Sequence, residues 1–143
     1  MAHSITEELK SLHTAAIDAR NGYEEALHDA EGKGMTPLFH EMIALHTKNA
    51  NDLAAELRKA GEQADDDGSF MSAIHRTVMS VRSMFGGLDD SVLPGLIDGE
   101  KRNVAHYDDA LEIADTPSGV HDVIVTNSDR LKGAIIRMEA LKP

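Results

Sequence analysis

Three polar residues interrupt apolar helical stripes, and their types are ones that hold protons or metal ions. His46 falls in the stripe Phe39, Ile43, His46, Ala50, Leu53, Leu57 and Ala60. Glu100 falls in Leu93, Ile97, Glu100, Val104, Tyr107, Leu111 and Ala114, and Asn127 in Val120, Ile124, Asn127, Leu131, Ala134, Met138 and Leu141. Steps of three and four residues put each stripe on one face of a helix, so all three side chains are expected to point inward at one level, near the midpoints of their helices. Arg20 stands beside Ala19 at a comparable height on the first helix, and Tyr23 and Tyr107 bring hydroxyls about a turn away. A buried carboxylate is costly unless it is paired or bound to a cation. Glu100 therefore calls for His46, Arg20 or a metal ion, and the pattern predicts a central polar layer of Arg20, Tyr23, His46, Glu100, Tyr107 and Asn127.

In helical bundles a di-metal carboxylate centre takes a Glu from each of two helices and a Glu-x-x-His pair from each of the other two. This chain has a single such pair, Glu25 and His28, near the end of the first helix and off the central level. A complete di-iron centre is not expected. A metal-free network of hydrogen bonds or a salt bridge is the preferred reading of the layer, and one ion held by His46 and Glu100 is the alternative. His75 and Arg76 open a short crossover helix, where such residues more often serve the surface or docking. The chain has no Gly-x-Ser-x-Gly nucleophile elbow and no glycine-rich phosphate loop, and the acidic run Asp65, Asp66 and Asp67 lacks the remaining spacing of a calcium loop. No catalytic residue and no cofactor are assigned, iron being the cofactor only of the alternative reading.

Four long helices must position these residues. Ser4-Ile5-Thr6-Glu7 reads as a capping box, and the stripe Ile5, Leu9, Leu12, Ala16, Ala19, Tyr23, Ala26 and Ala30 runs from it to Gly32. A second helix starts around Pro37 and stops at Gly61. Ser69 can cap a shorter helix through Phe70, Ile74, Val78, Val81 and Phe85. The third long helix begins near residues 89–91, with Pro94 and Gly95 predicting an irregular first turn, and the fourth follows the break at 115–119. Two short connections and one long one, at 61–90, predict two antiparallel hairpins joined by a crossover: an all-α, ferritin-like four-helix bundle in a single domain over 1–143. A plain up-down-up-down bundle is the runner-up. The echo of Tyr23-Glu24-Glu25-Ala26-Leu27 in Tyr107-Asp108-Asp109-Ala110-Leu111 fits duplication of a hairpin.

Composition narrows the function classes. With 41% hydrophobic and 27% charged residues the chain can bury a core, and no apolar run approaches the ~20 residues of a bilayer span. Asp and Glu number 25 against 14 Lys and Arg, and a net charge of −11 opposes binding to nucleic acid or to an anionic membrane. The absence of cysteine removes disulfides, thiolate nucleophiles and iron–sulfur clusters. Aromatics are only 3%, so stacking platforms for bases or sugars are not expected. The opening Met1-Ala2-His3-Ser4 shows no basic stretch followed by an apolar one, which fits a cytoplasmic location. Helices rich in Ala and Met can pack a second face, and a homodimer is the expected assembly.

Gly68, Ser69, Ala73-Ile74-His75-Arg76 and Met79, then Gly86 or Gly87 before Asp89-Asp90, resemble the crossover of a bacterial ferritin-like four-helix-bundle family of unknown function. Asp98-Gly99-Glu100 with Tyr107, Asn21-Gly22-Tyr23, Pro37-Leu38-Phe39 and Leu53 extend the likeness along the chain. The resemblance implies a stress-associated cytoplasmic protein similar in fold to ferritins. Where that family often has a second Asp-Gly-Glu, this chain reads Asp18-Ala19-Arg20, and near the end it has Ile136-Arg137 in place of His-Asp-Arg. A guanidinium repels an ion, so this departure favours an Arg20–Glu100 pair over a metal. The expected function is a non-enzymatic bundle with a degenerate metal site, acting through self-association or a protein partner. An iron-binding or redox protein using His46 and Glu100 is the alternative.

Overall fold

The computed structural model describes residues 4–30, 34–64, 92–113 and 116–142, the side chains of 28–30 apart. The short crossover helix expected from Ser69 to Phe85, His75 and Arg76 within it, the acidic run at 65–67 and the side chain of His28 lie outside the described residues. The elements are α1 (Ile5–Ala30), α2 (Thr36–Lys59), α3 (Leu93–Leu111) and α4 (Ser118–Leu141), and the described residues contain no strand.

Local chemistry sets the helix ends. The Glu7 backbone N–H donates to Ser4 Oγ at 3.2 Å, the first half of the capping box. Pro37 and Pro94 occupy the first turns of α2 and α3, where a missing N–H leaves no helical bond unmade. The helix at Pro94 is regular from Leu93, so the expected irregularity is confined to a 3-10 residue at Val92. Beyond α2, Gly61 adopts φ of 82°. Its N–H donates to the Arg58 carbonyl at 3.0 Å and the Glu62 N–H to that of Leu57 at 2.9 Å, the paired bonds of a Schellman stop. Any residue with a Cβ would be strained at that φ.

Two apolar clusters define the direction of each helix. One joins Tyr23 and Ala26 of α1 to Phe39 and Met42 of α2, Leu93 and Ile97 of α3 and Met138 of α4. The other joins Leu9 and Leu12 to Leu53 and Leu57, then Tyr107, Ala110, Ile124 and Leu131. The first takes the end of α1 with the start of α2 and α3 and the end of α4, and the second takes the opposite ends. It follows that α2 runs parallel to α3, and α1 to α4. α1 packs on α2 and α3, and α4 on the same two helices, so α2 and α3 are not the principal neighbours of each other. The chain leaves α2 at one end of the bundle and enters α3 at the other, which is the ferritin-like order of directions and excludes up-down-up-down. Among the described residues no helix is long and apolar enough to cross a membrane.

Candidate functional site

Between the two apolar clusters lies the polar layer, with Glu100 of α3 at its centre and none of its surface exposed. Its stripe position on α3 places it opposite α1 and α2. The Tyr23 hydroxyl donates to Glu100 Oε2 at 3.1 Å, His46 Nε2 lies 2.7 Å from the same oxygen, and Asn103 Nδ2 donates to Oε1 at 2.7 Å. A carboxylate only accepts, so Nε2 of His46 carries the proton of that bond. The Tyr23 ring lies nearly parallel to His46, with centroids 5.9 Å apart, and meets the edge of Phe39 at 5.3 Å. Packing on both sides thus holds the phenol in place. Burial, then the charge of Glu100 and the hydrogen bond to it, push the Tyr23 phenol well above its ordinary value. It remains a donor at neutral pH.

A second polar node joins α2 to α4. Asn49 Nδ2 donates to the Asn127 carbonyl and Asn127 Nδ2 to the Asn49 carbonyl, both at 3.3 Å. Arg130 Nη1 lies 2.7 Å from Asp52 Oδ2, 2.9 Å from Asn127 Oδ1 and 3.0 Å from Asn49 Oδ1. Tyr107 of α3 reaches the Asn127 and Asn49 side chains, and burial is the main cause raising its phenol above the ordinary value. Farther along, Arg137 Nε donates to Glu41 Oε1 at 2.8 Å on the surface of the same seam.

The expected members therefore separate. Tyr23, His46 and Glu100 come together as one node. Asn127 and Tyr107 are buried but belong to the second node, because Asn127 pairs with Asn49, one turn beyond His46. Arg20 is not a partner of Glu100. Its guanidinium donates to Asn21 Oδ1 from Nε at 3.3 Å and from Nη2 at 3.2 Å, and lies 3.9 Å from Glu24. A charged head on a long, flexible stem reaches solvent from this position more cheaply than it enters the core. Glu25 is exposed, and the side chain of its neighbour His28 lies outside the described residues. Sequence reading missed Asn49, Asn103, Asp52 and Arg130. An Asn three residues from a stripe histidine or glutamate, as at buried Asn49 and half-buried Asn103, was the available signal.

Two ligands of one ion, each about 2.1 Å from it and at right angles, stand about 3.0 Å apart. His46 Nε2 and Glu100 Oε2 are closer, at a hydrogen-bond length. Among the described residues no third His, Asp or Glu gathers with them. Tyr23, His46, Glu100 and Asn103 form a closed hydrogen-bonded node. Chemically, it satisfies and orients a buried carboxylate while tying three helices together.

Helix directions and buried layer together define an all-α bundle of two hairpins mated through a polar core. The chain belongs to the family described as domain of unknown function (DUF2383), whose model matches residues 4–113, from the α1 cap to just beyond α3. No curated protein and no solved structure matches it.

Proposed function

We propose that this protein is a non-enzymatic, ferritin-like bundle that acts through association with a second copy of itself or with a protein partner. In this reading it is stress-associated and cytoplasmic, as the resemblance implies, and the polar layer is a degenerate metal site converted to packing. One observation supports this most: both carboxylate oxygens of fully buried Glu100 take hydrogen bonds from the chain's own Tyr23, His46 and Asn103. A carboxylate satisfied in this way does not call for a cation to offset its burial. The layer would then fix which hairpin faces mate, the role best attested for buried polar groups in helical assemblies. The net charge of −11 supports a protein partner over nucleic acid or an anionic membrane.

The test is elemental analysis of the purified protein before and after anaerobic Fe(II) loading, with Glu100→Ala and His46→Ala as controls. The proposal expects no stoichiometric metal in any sample. Stoichiometric iron that disappears in both variants would replace it with an iron-binding function using His46 and Glu100.

A further inference from the structure

A cavity of about 10 Å3 enters the bundle between α1 and α3 beside the Glu100 node. It is lined by Ala15 and Ala16 of α1, by His46 of α2, and by Asn103, His106 and Tyr107 of α3. Two consecutive alanines of α1 line this seam, Ala15 half-buried and Ala16 buried, and a side chain as large as Leu there would fill it. The size is that of one solvent molecule, since about 10 to 15 Å3 admits a single water when two to four polar groups can receive it. Purely apolar cavities stay dry, but this one, with Leu12 and Leu131 on its apolar side, also has two imidazoles, an amide and a phenol in its wall. His106 is exposed on the surface, whereas His46 is buried, so the lining runs from solvent to the node.

The hydrogen bonds already made leave acceptors for a donor. His46 commits Nε2 to Glu100, and an imidazole that carries its one proton on Nε2 has Nδ1 as an acceptor. Asn103 commits Nδ2 to Glu100 and retains an amide oxygen. A water has two protons to give, which matches these two acceptors. We propose that this cavity is a binding site for one water molecule, which donates to His46 and Asn103 and brings solvent to the two side chains that hold the buried Glu100 carboxylate. The bound water makes the node reachable from outside without separation of the helices, and it orients the imidazole that holds Glu100.

Water-to-protein cross-relaxation measured by NMR on the full chain tests this. The wild type is expected to show a cross-peak from long-lived water to the His46 ring. The Ala15→Leu variant, which plugs the seam from a partly exposed position, should lose it, and Ala15→Ser should keep it. Absence of the cross-peak in folded wild type would overturn the site, and this measurement needs no variant to fold. Persistence of the cross-peak at full intensity in folded Ala15→Leu would overturn it equally.

Discussion

Removal of the His46 imidazole is the perturbation that reads the polar layer best. His46→Ala deletes one of three bonds to a fully buried carboxylate and vacates the space beneath the Tyr23 ring. A hydrogen bond to a charged group contributes about 1.5 to 3 kcal/mol, and truncating a buried side chain adds a cavity cost of about 2 kcal/mol. Tyr23 and Asn103 still hold the carboxylate, so the loss should be about 3 to 4 kcal/mol, at the lower end of the ~3 to 5 kcal/mol seen when one partner of a buried pair is removed. For a chain of this size that is a fall in melting temperature on the order of 10 °C. Urea unfolding followed by circular dichroism measures it. Glu100→Gln in the same background should recover part of the loss, giving a coupling of at least about 1 kcal/mol in the double-mutant cycle, since no charge is then left underpaired. Loss of under about 1 kcal/mol, or additivity within about 0.5 kcal/mol, would refute the node as the organiser of this core.

The chain has two tyrosines and no tryptophan, so phenolate absorbance reports on Tyr23 and Tyr107 alone. Both are raised by burial, so the folded state holds their protons where the unfolded state has lost them. Stability from these groups is complete below about pH 10 and falls above it by about 1.4 kcal/mol per tyrosine per pH unit until the folded values are reached. Alkaline titration should therefore show phenolate appearing together with unfolding, and phenolate at pH 10 in a folded protein would contradict it. Asn127→Ala takes the Nδ2 donor from the Asn49 carbonyl and the Oδ1 acceptor from Arg130, while the Asn49 amide keeps the backbone carbonyl of residue 127, and should destabilise by about 1 to 3 kcal/mol in the same urea assay, whereas a neutral result would remove the second node from the account. Arg20→Ala should change stability by less than about 0.5 kcal/mol, because its contacts are with surface-side Asn21 and Glu24. A loss of several kcal/mol there would restore the Arg20–Glu100 pair.

The stripe positions of Tyr23, His46 and Glu100 were legible because each polar group broke an apolar period, and burial follows from that period. Gly61 and Pro37 were legible for a different reason: each has backbone chemistry that only a helix end accommodates. A stripe gives the angle of a residue around its helix but not its height against a neighbour, and Asn127 was therefore placed one turn from where it sits. Arg20 was misplaced because a residue next to a core alanine lies about 100° farther round the helix, and a long charged side chain follows water. Asp52 and Arg130 could not be found from the period at all. Their positions depend on how closely α2 approaches α4, which is a tertiary fact.

The central claim is that Glu100 is satisfied from within the chain, and a crystal structure of protein loaded anaerobically with Fe(II), with anomalous data at the iron edge, tests it most directly. The account predicts His46 Nε2 and Glu100 Oε2 at a hydrogen-bond separation near 2.7 Å, with no anomalous peak beside them. A peak beside these two atoms, with their separation opened beyond about 3.0 Å, would make them ligands of one ion and contradict it.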